Sequence, residues 1–381
     1  MLLMKRIAGR LILLLGASND VFTLTDESAS RKALSLLDSA LEAGETSASH
    51  GYSVRFSLAG GYCDVVFNRP VSYVIDDSLN QRILKILTAG FFPFLTFYPV
   101  PGLEMVQTGE QSFAKAMALR FRFKVGNFKR LHFKKLSDVS CKSDLKIPLM
   151  RGYFFDVLAS SGMCALSGPS GSGKTSLALY LLQAMYSVGA TIKIIDPKLD
   201  VSLFRFANKR GLVYVTPEAN SNEYFNSVLN TLKEAVDEIH RRQLSSLNGH
   251  FEKKPLVIFV DEAMALTSSI SDSKKVKDYL AQISQITLQG RSARVFLWLG
   301  AQTFSASGSD VVMSSSSRDQ MALKIVLSQA QSDWRYLFKD IDLSSLVLVR
   351  DEFSKGLGVA SVMPDGRVVP FLAPKVDDLE G

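Results

Sequence analysis

The sequence predicts an α/β protein in two parts: a parallel β-sheet covered by helices on both faces over residues 146–381, preceded by a smaller α+β domain over residues 1–145. Three observations predict it. Five near-continuous apolar runs, at Met163–Leu166, Thr191–Ile195, Leu212–Val215, Leu256–Val260 and Val295–Leu299, are separated by helical stretches such as 222–247. That is the pattern of parallel strands buried on both faces. The first run passes straight into a glycine-rich loop that opens a helix. The first 145 residues mix short alternating segments with amphipathic ones instead, and residues 138–148 between the two parts are polar and lack apolar periodicity.

Length and composition set limits on what the chain can be. At 381 residues and 47% hydrophobic content it can bury roughly two or three cores, which excludes wholesale disorder. Cys63, Cys141 and Cys164 are too few and too scattered for a disulfide scaffold or a four-cysteine zinc site. His50, His132, His240 and His250 show no metal-ligand spacing. A reducing, cytoplasmic setting is expected, with any membrane attachment supplied by a partner.

The elements of the first part follow in order. Residues 1–17 carry Lys5, Arg6 and Arg10 ahead of an apolar run, as a signal peptide does, but the run is short and no small-residue cleavage site follows. Ser30 is a candidate cap for a helix with Leu34, Leu37 and Leu41 on one face, and 44–51 reads as a polar loop. Tyr52–Leu58 and Tyr62–Phe67 read as strands flanking Gly60-Gly61, followed by a strand over 71–75. A second helix begins after Asp77 or Ser78 and runs through Ile83, Leu84 and Leu87, and a third covers 110–119. Ile86–Leu103 lacks charge over 18 residues, but Gly90, Pro93, Pro99, Pro101 and Gly102 break it, so it reads as a helix end entering buried strands. No internal repeat is visible.

The loop after the first apolar run is Gly168-Pro169-Ser170-Gly171-Ser172-Gly173-Lys174-Thr175, with Ser176 next, and it satisfies G-x-x-x-x-G-K-[ST] in the strand-to-helix context that gives the motif meaning. Glycines let consecutive backbone N–H groups face one concavity at a helix N-terminus, where phosphate oxygens are held. ATP and Mg²⁺ are the expected cofactors: Lys174 reaches the β- and γ-phosphates and Thr175 ligates the metal. The run Leu256–Val260 ends in Asp261-Glu262, a pair suited to holding Mg²⁺ through water (Asp261) and to polarising the attacking water (Glu262). Two other strand ends, Asp196-Pro197-Lys198 and Gly300-Ala301-Gln302, fall at the sheet edge where open α/β sheets bind ligands. Gln302 there is either a γ-phosphate sensor or a loop hydrogen-bonder.

Taken in sequence, the P-loop, Ile194-Ile195-Asp196-Pro197-Lys198, Val257–Glu262, Gly290-Arg291-Ser292-Ala293-Arg294 and Leu299–Gln302 resemble the FtsK/SpoIIIE-like DNA translocases over residues 147–375. Arg318-Asp319-Gln320, the strand 321–327 and Gly356-Leu357-Gly358 are similar to the coupling and transfer ATPases of Gram-positive conjugative elements. The resemblance implies a RecA-like motor domain, a homo-oligomeric ring, usually a hexamer, and double-stranded DNA pumped through it by ATP hydrolysis. It implies Arg291 as an arginine finger acting on a neighbour's ATP, with Arg294 as the competing candidate. Conjugative transfer, with a relaxase or membrane channel protein as partner, is the expected setting. The alternatives are an ATP-gated coupling module that turns over little and a viral or satellite genome-packaging ATPase. About 25 residues follow Gly356, so no winged-helix DNA reader is expected after the motor, and the family's N-terminal transmembrane cluster is not evident in the sequence.

Net charge is +7, with 44 basic against 37 acidic residues, and the surplus sits early: residues 1–150 hold 19 against 13. Eight basic residues and no acid lie between Gln111 and Ser137. Within this stretch Phe121, Phe123 and Val125 alternate with Arg120, Arg122 and Lys124 ahead of Gly126-Asn127, which predicts a hairpin with its cations outward. Arg120, Arg122, Lys124, Lys129 and Arg130 are candidate DNA contacts; an edge strand protected by charge is the equal alternative.

Overall fold

The structure, a computed structural model, describes residues 3–7, 10–14, 21–41, 52–67, 76–112, 115–142, 144–217, 221–268, 272–304, 311–339, 341–349, 351–353, 355–364 and 366–380. The expected loop over 44–51 and strand over 71–75 lie outside these residues. The chain forms two compact units: Met1–Asn127 with Asp340–Val349 and Arg367–Val369, and Phe128–Lys339 with Arg350–Gly366 and Pro370–Gly381.

In the first unit, β1 (Leu3–Ile7), β2 (Arg10–Leu14) and β3 (Val21–Leu24) form an antiparallel sheet. Helix α1 (Asp26–Leu41) starts four residues before Ser30, because Thr25 and Ser28 exchange side-chain-to-backbone hydrogen bonds and close the first turn. Ser30 donates instead to the Asp26 carbonyl and accepts from the Phe56 N–H, pinning the helix to the sheet. β4 (Tyr52–Ser57) and β5 (Tyr62–Phe67) pair antiparallel across the Gly60-Gly61 turn. Helix α2 (Asp77–Phe91) is capped by Asp76, whose carboxylate accepts from the Leu79 N–H. It runs into the buried strand β6 (Leu95–Phe97), as the uncharged segment leads one to expect.

Among the described residues of 110–119 the expected third helix is absent: the nine-residue β8 (Met117–Val125) takes the last three, β7 (Met105–Gln107) precedes the stretch, and β8 pairs with β5, β6 and β7. β8 places Phe121 and Phe123 in a core with Phe56, Phe91 and Phe97, the rings of Phe56 and Phe123 lying 5.5 Å apart. Long-range aromatic packing overrides the local helical spacing of 110–119.

The second unit opens with β9 (His132–Lys135), which pairs not with β8 but, in parallel, with β20 (Lys375–Asp378), so no hairpin forms around Gly126-Asn127. β10 (Lys146–Met150) and β11 (Tyr153–Asp156) form an antiparallel pair. The division of the chain therefore falls after Asn127, ahead of the 138–148 segment, because residues 128–145 are tied into the second unit through β9.

The main sheet holds eight strands. The chain runs through β12 (Cys164–Ser167), α3 (Lys174–Ser187), β13 (Thr191–Ile195), α4 (Val201–Arg210), β14 (Val213–Val215), α5 (Ser221–Leu247) and β15 (Leu256–Val260). It continues through α6 (Ala263–Ser268), α7 (Ser273–Ala293), β16 (Val295–Ala301), α8 (Ser315–Asp319), β17 (Leu323–Val326), α9 (Gln331–Trp334), β18 (Leu357–Val362) and β19 (Val368–Leu372). Spatial order is β14-β13-β15-β16-β12-β17-β18-β19, parallel from β14 to β17 and antiparallel at β17–β18. Every residue of β12, β15 and β16 is buried, which is why these strands read as unbroken apolar runs. Register brings Ser167 opposite Ala301, Val260 opposite Leu299 and Ile195 opposite Val260, so four neighbouring strands release their chains along one edge.

Candidate nucleotide site

The glycine-rich loop and the strand-terminal Asp261, Glu262 and Gln302 lie at that edge. After β12 the chain turns through the glycine-rich loop, where Gly171 and Gly173 take φ values of +80° and +100°, the left-handed region that glycine enters without a Cβ penalty. Gly173 caps α3, and Lys174 is the first residue of that helix. The first N–H groups of a helix lack partners within it, and together with the dipole they make the N-terminus of α3 a ready site for phosphate. The loop is tethered: the Gly356 N–H donates to the Ser172 carbonyl at 2.9 Å, and the Ala373 N–H donates to the Gly356 carbonyl.

Next to the loop, Glu262 is buried to 3% exposure with both oxygens engaged. Oε2 takes Lys174 Nζ at 2.7 Å and Lys198 Nζ at 3.0 Å, and Oε1 accepts the Gln302 N–H at 2.9 Å. Burial alone would raise its pKa, but the two ammonium groups and the amide outweigh it and hold the carboxyl below its ordinary value. The Ser167 hydroxyl donates to the Gln302 carbonyl at 3.0 Å, so β12, β15 and β16 are cross-linked where they end.

Asp261 has the opposite environment. At 4% exposure its Oδ1 accepts no hydrogen bond, and burial, opposed by Lys174 but reinforced by Asp196 and Glu262, pushes its pKa up to about 6. Gly300 leaves the space in front of it: a Cβ there would lie 3.0 Å from Oδ1. A buried carboxylate without a donor, near a P-loop whose Thr175 supplies a hydroxyl, is an all-oxygen set that fits Mg²⁺. Bound there, the metal would supply positive charge to the carboxylate and to phosphate oxygens. Asp196, fully buried, is committed elsewhere: Oδ1 accepts the Lys198 N–H at 2.8 Å, and Oδ2 accepts the Asp200 N–H and the Tyr214 hydroxyl, each at 2.6 Å. It fixes the turn that presents Lys198.

Residues 164–301, β12 to the end of β16, match the family of ATPases associated with various cellular activities (AAA). The chain is 28% identical over 243 residues to the FtsK domain-containing protein YdcQ of Bacillus subtilis (strain 168), a match covering 60% of this chain and 46% of that relative. The chain thus spans about half the length of the curated relative it matches. Its ATPase domain is FtsK-like. Solved structures similar to it include the pCW3 conjugation coupling protein TcpA in its monomer form with ATPγS, at 14% identity, 91% of this chain, 94% of that one and a TM-score of 0.47. The cytoplasmic domain of the type VII secretion ATPase EccC of Thermomonospora curvata has 18% identity, 61% and 29% coverage and a TM-score of 0.43.

The FtsK-like domain brings Lys174, Asp261, Glu262 and Gln302 together but keeps Arg291 apart. Arg291 lies exposed near the end of α7, just before the first residue of β16, so it sits at the opposite edge of the sheet from the P-loop, where it donates to the Ala159 carbonyl at 3.4 Å. Arg294, with φ +53°, donates to the Lys253 carbonyl.

The basic stretch is met by carboxylates from distant sequence. Arg120 makes two 2.7 Å hydrogen bonds to Asp64, Arg122 pairs with Glu104, Arg130 pairs with Asp351 at 2.5 Å, and His132 meets Asp377 at 2.8 Å. Arg130 also donates to the carbonyls of Ala373 and Lys355, holding the segment that tethers the P-loop. Lys129, Lys134 and Lys135 are exposed, and Lys124 is half-buried on β8. Among the described residues no helix is long and apolar enough to cross a membrane.

Sequence reasoning named Asp196-Pro197-Lys198 but gave Lys198 no partner, since nothing in the sequence indicates which carboxylate lies within reach. The raised pKa of Asp261 gives a prediction. Its folded value of about 6 exceeds the unfolded one, so the folded protein binds the extra proton as pH falls, and the cost of the buried charge is fully present above pH 6 and gone below about pH 4. In nucleotide- and metal-free protein, Asp261→Asn should stabilise at pH 7–8 by up to ~3 kcal/mol, with the advantage vanishing near pH 4. Thermal unfolding of both proteins across pH 4–8 checks this.

Proposed function

We propose that this chain is an ATP-driven DNA translocase that works as a homo-oligomeric ring, a hexamer, in the transfer of a mobile element. One observation supports the reading most: Lys174, Asp261, Glu262 and Gln302 converge at one edge of four adjacent parallel strands. Lys174 leaves Glu262 for the β- and γ-phosphates, Thr175 and Asp261 hold Mg²⁺, and Glu262 takes a proton from the attacking water. Gln302, whose backbone already touches Glu262 and Ser167, connects the γ-phosphate to β16.

Hydrolysis coupled to DNA predicts an ATPase rate that rises several-fold with double-stranded DNA. Glu262→Gln should keep ATP binding and lose turnover by about 100-fold or more, the range set by removing a general base. Lys174→Ala should lose binding itself. Turnover indifferent to DNA would favour the ATP-gated coupling module.

Arg291 supports the ring, since its place across the sheet prevents it from serving its own P-loop. Mixing Arg291→Ala with Lys174→Ala protein should restore part of the activity, because a mixed ring contains interfaces with both an intact loop and an intact finger. Mixed rings that stay inactive would remove the trans assignment.

DNA binding falls to the cations not already engaged by carboxylates, of which Lys129, Lys134 and Lys135 are exposed. Each lysine–phosphate interaction removed should lower the salt slope of log K by about 0.9, so replacing all three by Gln should lower it by up to about 2.7. Duplex binding across a salt series at fixed nucleotide state tests this; an unchanged slope assigns these lysines to a solvated face.

A further inference from the structure

The three most exposed large apolar side chains among the described residues, Leu247 at 83%, Phe251 at 70% and Leu244 at 63%, lie together at the end of α5. Leu244 and Leu247 share one face of the last turn, and the chain leaves the helix through Gly249, at φ +78°, to place Phe251 after them. The projection is built, not loose. The Gly249 and His250 N–H groups donate to the Ser246 and Ser245 carbonyls, each at 3.0 Å. Beyond them, Arg242 donates to the carbonyls of Lys254 and Ala293 at 2.8 and 2.9 Å, and Arg294 to that of Lys253 at 2.9 Å. Single apolar side chains on a surface are ordinary, but three on one fixed projection mark a contact surface.

Charge indicates what that surface meets. Residues 238–254 carry Arg241, Arg242, Lys253 and Lys254 against Glu238 and Glu252, and Arg294 joins them from the end of α7. Both acids are engaged: Glu238 by Arg241 and Arg242, Glu252 by the Lys254 N–H. The cations precede Leu244 on the helix and follow Phe251 in the chain, so they stand behind the apolar tip on both of its legs. Apolar side chains foremost and cations behind match the depth order of an anionic lipid surface, where phosphates overlie acyl chains. We propose that the end of α5 docks on an anionic lipid surface, with Leu244, Leu247 and Phe251 reaching the boundary between headgroups and acyl chains. A protein partner would need a pocket shaped to this projection and rimmed with acids; a fluid leaflet moulds itself to the tip and brings its own negative charge. The tip precedes Leu256, the first residue of β15, whereas Asp261 and Glu262 follow its last, so docking leaves the nucleotide edge clear of lipid.

The test is co-sedimentation of the full chain with vesicles of phosphatidylcholine alone and of phosphatidylcholine mixed equally with phosphatidylglycerol. Wild type should pellet with the anionic vesicles and stay in solution with the neutral ones. Leu247→Ser and Phe251→Ser should each weaken that binding about ten-fold, the scale of one apolar side chain kept in water. Lys253→Gln and Lys254→Gln should each weaken it about five-fold. Phe251→Trp should bind as wild type does and shift its fluorescence to the blue with anionic vesicles, against a constant background from the buried Trp298 and Trp334. Thermal unfolding checks that these surface variants keep the fold. Binding by charge alone, from basic residues elsewhere, would leave the serine variants at wild-type affinity and Phe251→Trp unshifted, and would overturn the proposal. So would a wild type that ignores anionic vesicles. In that case sedimentation velocity with ATPγS separates the other occupants: assembly weakened by Leu247→Ser and Phe251→Ser assigns the tip to a second copy of this chain, and unchanged assembly assigns it to an acidic protein partner.

Discussion

The ion pair between Lys174 and Glu262, 2.7 Å long and almost wholly out of water, is the constraint around which the site is organised. Either charge alone in that position would cost several kcal/mol. The pair therefore fixes where α3 must begin relative to the end of β15, which in turn demands parallel strands in tight register. The same pair leaves Asp261 as the local misfit. Two adjacent carboxylates share one buried strand end, and the available cations go to Glu262. The resulting Asp261, with Oδ1 buried and without a donor, carries an unfavourable charge that a bound cation would relieve.

The parallel core was legible in the sequence almost residue by residue, and the reason is physical. A strand buried on both faces must be apolar throughout, so Leu256–Val260 and Val295–Ala301 announce themselves without context. The P-loop was legible because its glycines answer to backbone φ, a local requirement. The first unit was less so. Residues 110–119 carry helical spacing but yield to β8, since Phe121 and Phe123 gain more from packing on Phe56, Phe91 and Phe97 than a marginal helix would return.

Charge was the least legible feature. A run of eight cations without an acid looks like a polyanion site only while the chain is a line. Folding brings Asp64, Glu104 and Asp351 to Arg120, Arg122 and Arg130, from positions 18 to 221 residues away. Absence of acids within a segment thus says nothing about local potential once β-pairing imports them. The same blindness hid Lys198, whose partner lies 64 residues on, across one parallel strand pair.

Arg130 shows how such imported pairs reach function. Its side chain is 8% exposed, and it gathers the Asp351 carboxylate with the carbonyls of Lys355 and Ala373. Gly356 sits beside these groups and donates its N–H to Ser172 inside the P-loop. The glycine at 356 is required there, since φ is +82° and a Cβ would come within 3.0 Å of both Arg130 and Ala373. The shape of the phosphate loop therefore depends on a guanidinium from the opening of the unit and on Ala373, between β19 and β20 near its end. A cation that in sequence belongs to a basic surface run acts, in the fold, as the anchor of a strap on the nucleotide site, and its cost of burial is offset because four acceptors surround it.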